Sequence, residues 1–238
     1  MKFLITDAIF EQYPDTQIGV VVARGLDNSG QFDELTELVR SAEADVRTNL
    51  AGITISQHPH VLPWREAYRA FGAKPKKYPS SIENLLKRVL KGEELRPINP
   101  LVDLYNVVSL RHLIPAGGED LSQMEGDLRL TIAGDDEPAV TMLGEREARP
   151  PYAKEVIYAD DIGAICRRWN WKEADRTKLT ADTTDAILVL EILPPVACNT
   201  LDAAMADLAT LIQQFCGGAV QLQSAVLNTT NRSIELNS

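Results

Sequence analysis

Residues 99–110 read NPLVDLYNVVSL, and how this run is read decides the fold. It is mostly apolar, yet Asn99, Asp103, Asn106 and Ser109 interrupt it at steps of four, three and three. That spacing lines four polar side chains along one face of a helix that is otherwise core. Asn99 followed by Pro100 marks the helix start. The Asn side chain can cap a free N–H, and the Pro ring suits the first helical turn. The helix is expected to span 99–113. Asp103 is expected either to hold a neighbouring loop by hydrogen bonds or to serve a site, and Ser109 to be structural. Asn106 carries both a donor and an acceptor, which a pocket reading an amino-acid backbone would need.

Working outward from this helix, the chain upstream is helix-rich over residues 26–113. KFLITDAIF and IGVVVARG are expected as the first two strands, the second ending at Gly25. FDELTELVRSAEADVRTNL sets Leu35, Val39, Ala42, Val46 and Leu50 at helical spacing. Pro63 and Gly72 bracket a short helix in LPWREAYRAFG. In SSIENLLKRVLKG, Ser80 and Glu83 stand at capping-box spacing and Gly92 is the stop. Downstream, IPAGGED is expected as a Pro/Gly turn. DLRLTIA, PAVTML, EVIYAD, GAICRRW and AILVLEI are expected as antiparallel strands within 126–195. A terminal helix, TLDAAMADLATLIQQFCGG, stops at Gly217-Gly218, and AVQLQSAVL is a last strand (199–228 together). Helices, then strands, then one helix make a single α+β domain over 1–238.

The chain has 238 residues, 45% hydrophobic and 24% charged, which suits an ordinary globular domain. No apolar run approaches the roughly 18–20 residues of a membrane helix. The N-terminus, MKFLITDAIFEQYPD, reads as a strand and not as a signal peptide. Three cysteines, Cys166, Cys198 and Cys216, are an odd and sparse set, so neither a disulfide framework nor a zinc site is expected, and a cytoplasmic location is. His58-Pro-His60 lacks further ligands nearby, so no metal is expected. Asp160-Asp161 and Asp135-Asp136-Glu137 are expected as solvated turns.

The net charge of −10 disfavours non-specific binding to nucleic acid. One segment reverses that balance. Lys74, Lys76, Lys77, Lys87, Arg88 and Lys91 stand against a single acid, Glu83. This stretch is either a solvated helix face or an RNA contact. RRWNWK (167–172) alternates cations and aromatics, which suits stacking on a base, with Arg167 and Arg168 as RNA contacts. Trp169 and Trp171 would share one strand face, for stacking or as core. The chain lacks GxxxxGK[ST], GxGxxG, GxSxG and HExxH. With no visible nucleophile, triad or metal cluster, an enzyme built this way works by positioning and polarising something already reactive, such as an activated ester.

NPLVDLYNVVSL, IPAGGED and MEGDLRLTIA, in that order, resemble the editing domain of the phenylalanyl-tRNA synthetase beta chain. WREAYRAFGAKPKKYPSSIENLLKRVLKG and CRRWNW resemble the free-standing relatives of that domain. The resemblance covers roughly residues 60 to 195. It implies a layered sheet-and-helix sandwich of two interleaved α+β subdomains. It also implies hydrolysis of the ester of mischarged aminoacyl-tRNA, with the tRNA acceptor end as partner, no cofactor, no DNA and no membrane. Asn106 falls on the family's pocket Asn. Tyr105 stands where the family usually has Thr, and Gly117 where it has His. Glu191 matches the acid that reads the substrate side chain, although from spacing alone it is equally a solvent-facing strand end. The resemblance thus implies Asn106, Gly117 and Gly118 as catalytic groups, the two glycines through backbone N–H donors. Tyr105, Asn106, Asp103 and Glu191 are implied as the substrate pocket. In the family the mischarged amino acid is tyrosine, and the missing Thr and His change the shape and polarity of that pocket and remove the obvious general base. The alternative is a non-catalytic module binding tRNA or a free amino acid through the same pocket.

Overall fold

A computed structural model describes residues 1–217 and 219–236. Gly218, expected within the stop of the terminal helix, lies outside the described residues. The chain runs β1 (Lys2–Ile5), α1 (Asp7–Gln12), β2 (Gln17–Arg24), α2 (Asp33–Asn49), α3 (Leu62–Ala70), α4 (Ser81–Leu90) and α5 (Pro100–His112). It continues with β3 (Ala116–Asp120), β4 (Leu128–Ile132), β5 (Val156–Ala159), β6 (Ala164–Arg167), β7 (Lys172–Glu173) and β8 (Asp185–Ile192). It closes with α6 (Cys198–Phe215), β9 (Gln221–Leu227) and β10 (Ser233–Glu235).

The strands form two sheets, ordered β10-β1-β4-β5-β6-β7 and β3-β8-β2-β9. The chain passes between them repeatedly, so the two α+β halves are interleaved, as expected. β2 is flanked by β8 and β9 and buried along nearly its whole length, which explains its unbroken apolar run. α6 packs on β2 and β8, α5 on α6 and β3, and α2 on α5. Gly19 permits that closeness: a Cβ there would lie 2.6 Å from the Met205 sulfur on α6. One continuous apolar core joins both sheets and the helices.

The opening helix forms as its sequence dictates. Asn99 Oδ1 accepts from Val102 N at 3.1 Å, and its Nδ2 donates to Leu179 O at 3.1 Å. Leu113 ends α5 in the left-handed region (φ 56°). Ser109 Oγ donates to Ile114 O at 2.6 Å and fixes that end. Ser80 caps α4 by accepting from Glu83 N at 3.4 Å. The reciprocal half of the box is absent, because the buried Glu83 carboxylate pairs with Arg65 and Lys87 at 2.5 Å each.

Several expectations fail for physical reasons. IPAGGED is not a turn. Its glycines lie on β3, in register with Val189 and Leu188 of β8. DAIF leaves the sheet as α1. PAVTML makes only isolated bridges, at Val140 and Met142. Within the segment expected to be antiparallel, β4 to β7 pair in that sense, and β4 takes a parallel partner from outside it in β1. Asp160 is buried, not solvated. It accepts from Arg176 at 2.8 and 3.0 Å and from the backbone N–H groups of Glu125, Ile162 and Gly163. Asp161 at the surface pairs with Arg129 at 2.7 Å.

Candidate active site

A cavity of about 300 Å³ opens where β3 and β8 of one sheet meet β5 and the β6–β7 hairpin of the other, with α4 and α5 alongside. Tyr105, Asn106, Gly117, Gly118 and Glu191 all line it. Three separate elements therefore deliver the residues singled out from sequence to one place. Asp103 does not join them. It borders a separate small hollow beside Phe32 and Thr36. Its Oδ1 accepts from Ile98 N at 3.2 Å, and burial lifts its pKa to about 6. Its structural reading, as the holder of a loop, fits this placement and its pocket reading does not.

Glu191 is 1% exposed, which removes the solvent-facing alternative. Its carboxyl accepts from the Tyr158 hydroxyl and from Asn170 Nδ2. Burial raises its pKa to about 7, against the pull of those hydrogen bonds. Asn170 is itself held in place. Tyr68 Oη donates to Asn170 Oδ1 at 2.8 Å, and Ser81 N donates to Asn170 O at 2.9 Å. The hairpin turn that presents Asn170 is unusual, with Arg168 and Trp169 both left-handed at φ 51° and 64°. Bulky side chains rarely adopt that conformation. Trp169 N donates to Val156 O at 2.7 Å, and the fully buried Trp169 indole packs edge-on against Trp64 and Tyr13. Trp171 instead packs against Tyr78. The two tryptophans do not share a strand face, because a turn separates them.

Sequence reading missed two acids in the same cavity, Glu119 on β3 and Glu173 on β7. Glu119 Oε2 is buried without a hydrogen-bond partner. Burial, and then the neighbouring Glu173 charge, hold Glu119 well above the usual carboxylate range. Burial lifts Glu173 to about 7, while the Gly118 N–H opposes the rise. The Gly118 N–H is thus close enough to the Glu173 carboxylate to favour its ionised form. A Cβ at Gly117 would lie 3.0 Å from Glu173 Oε1, so a side chain there would push that carboxylate aside. Burial, and then the charges of Glu173, Glu119 and Glu191, keep the Cys166 thiol well above its ordinary range, which disfavours a thiolate there. Nothing local in the sequence marks this pair, since its members lie on strands of two different sheets and meet only where those sheets face each other across the cavity.

The basic residues divide. Lys74, Lys76, Lys77 and Lys91 are exposed. Lys87 is tied to Glu83, and Arg88 pairs with Glu93 at 3.2 Å while also lining the cavity. Arg167 and Arg168, expected as surface RNA contacts, are 5% and 3% exposed. Arg167 makes a two-pronged pair with the buried Glu155 at 2.9 Å on each arm, which occupies its guanidinium. Arg168 lies recessed, stacked between Tyr78 and Trp171.

The sequence profile of the B3/4 domain family matches residues 63–217, more than half of the chain. The chain belongs to the B3/4 domain family. The expected kinship with the synthetase beta chain agrees with that membership. The B3/4 chain is also similar to the crystal structure of an N-terminal fragment of the phenylalanyl-tRNA synthetase beta subunit from Pyrococcus horikoshii. The identity is 9% and the TM-score 0.48, over 94% of this chain and 53% of that one. The B3/4 chain therefore spans about half the length of that fragment. No curated protein sequence matches it. Among the described residues, no helix is long and apolar enough to cross a membrane.

Proposed function

We propose that this B3/4 domain hydrolyses the ester of mischarged aminoacyl-tRNA, acting in trans as a proofreading step. The observation that supports this reading most is the convergence of Asn106, Glu191 and the Glu119–Glu173 pair on one small cavity. A space of about 300 Å³ suits an aminoacyl group and leaves the tRNA body outside. The ionised form of Glu191 takes the substrate ammonium, with Tyr158 and Asn170 fixing its orientation. The Asn106 amide donates to the ester carbonyl, in the place assigned from sequence to glycine N–H groups.

The acid pair supplies what the absent family His would have done. Two neighbouring carboxyls, Glu119 buried and Glu173 half-buried, do not both ionise readily, so one holds a proton while the other is charged. Glu173, the lower of the two, accepts a proton from water as the water oxygen bonds to the carbonyl carbon. The ester C–O bond breaks, and protonated Glu119 gives its proton to the leaving ribose oxygen. Proton exchange between the pair and solvent restores the starting state. Such acid–base help contributes about 10²–10⁴-fold.

The test is deacylation of a panel of aminoacyl-tRNAs by the purified protein. Hydrolysis well above the spontaneous rate on at least one member is expected. Spontaneous rates across the panel contradict the proposal, and binding without turnover supports the non-catalytic module instead.

A further inference from the structure

A second hollow lies on the far side of the Trp171–Tyr78 wall. It is lined by Lys74, Lys77, Tyr78, Tyr152, Glu155 and Arg168. Its charge balance stands out in a chain of net −10. The one carboxylate, Glu155, is already matched by its two-pronged bond to Arg167. Three cations therefore border the hollow with their charge available. Lys74 and Lys77 are exposed at its edge. Arg168 is recessed, with its guanidinium carbon 3.8 Å from the Tyr78 ring centre and 4.4 Å from that of Trp171. Its one ion-pair contact among the described residues is Glu155 at 3.9 Å, too long for a hydrogen bond. Stacking thus holds a guanidinium without a side-chain hydrogen bond among the described residues at the floor of the hollow, recessed to 3% exposure, and this is the group best suited to a phosphate entering there. Tyr152, 67% exposed, adds an aromatic ring that has the Arg167 and Arg168 guanidinium carbons 5.5 and 5.6 Å from its centre and is otherwise largely open to solvent.

We infer that this hollow binds the phosphodiester backbone of single-stranded RNA, with Arg168, Lys74 and Lys77 on phosphate and Tyr152 stacked on a base. An acidic peptide would use the cations and leave the exposed ring without a planar partner, whereas every base has a face for it. The inference rests on the aminoacyl-tRNA reading and deepens it. Trp171 lines the acid cavity and stacks on the Arg168 that lines this hollow, so one side-chain contact separates the two sites.

The experiment is fluorescence anisotropy with a short, labelled single-stranded RNA ending in CCA and carrying no amino acid. Saturable binding that weakens with salt is expected. The Lys74→Glu/Lys77→Glu double variant is expected to bind at least about tenfold more weakly. Its salt dependence is expected to flatten by about 0.7 for each phosphate that the protein no longer neutralises. Tyr152→Ala is expected to cost about tenfold. All three side chains are exposed, so the variants are expected to fold, and circular dichroism checks that they do. Absence of wild-type binding, unchanged binding by the variants, or displacement of the RNA by tetraglutamate at equal concentration would overturn the inference. Hydrolysis of a small aminoacyl ester is measured on the same variants. Intact ester hydrolysis with unchanged RNA binding sinks this site alone. Variant-sensitive RNA binding without any aminoacyl-tRNA turnover sinks the hydrolysis reading and leaves the site standing.

Discussion

Replacing Glu191 by Gln isolates the cost of holding a carboxylate in the cavity. Its folded pKa is about 7 against an ordinary 4.5, so the folded state binds this proton more tightly than the unfolded one. The stabilising contribution is therefore complete below the unfolded value and disappears as pH rises through about 7. The gap between those two values corresponds to about 3 kcal/mol, undiminished by solvent because the residue is 1% exposed. Gln cannot ionise, and the Tyr158 hydroxyl can turn to accept from its amide. The stability of Glu191→Gln relative to wild type is expected to rise by about 2–3 kcal/mol between pH 5 and pH 8.5, which is roughly 5–10 °C in Tm. Urea and thermal unfolding at both pH values give the difference directly, and comparison with wild type cancels the titration of other groups. Parallel stability curves across that range would refute the assignment of a buried, proton-retaining carboxyl.

Other outcomes follow from the same geometry. Asn106→Ala is expected to lower deacylation by about 100-fold or more while leaving Tm nearly unchanged, as measured by single-turnover hydrolysis and calorimetry. Gly117→Ala places a Cβ 3.0 Å from Glu173 Oε1 and should cut turnover about tenfold in a protein that remains folded, because the displaced carboxylate loses its alignment. Deacylation should rise with pH through about 7 as Glu173 ionises and then level off; a rate that falls over this interval contradicts its role as base. Arg167→Met leaves Glu155 without its two-pronged partner in a buried site and is expected to cost about 3–5 kcal/mol in urea unfolding, whatever its effect on activity.

The parts of this fold that were legible in the sequence are those written in periodicity and capping. α2, α4 and α5 follow from apolar spacing and from Ser80 and Asn99 at the starts of the last two. β3 was not legible, because AGGED has little intrinsic strand preference and is a strand only through its pairing with β8. Glu191 announced itself as an acid in an apolar run, and Asn106 as a polar break in a core helix. Glu119 and Glu173 gave no such sign, since each stands among other polar residues and their meeting depends on the sheets. The cation–aromatic alternation around Arg167 looked like an RNA surface from its composition. In the fold Arg167 is taken up by a buried ion pair, and the left-handed turn at Arg168 and Trp169 recesses Arg168 at the floor of the second hollow instead of leaving it on an open surface.

The central claim is that the cavity of Asn106, Glu119, Glu173 and Glu191 receives the aminoacyl group. A crystal structure with a non-hydrolysable aminoacyl-adenosine, its ester replaced by an amide, tests this most directly. The expected complex has the ammonium at Glu191, the carbonyl oxygen at the Asn106 amide and the carbonyl carbon within reach of a water on Glu173. An aminoacyl group bound elsewhere on the molecule, or an empty cavity at saturating ligand, would contradict it.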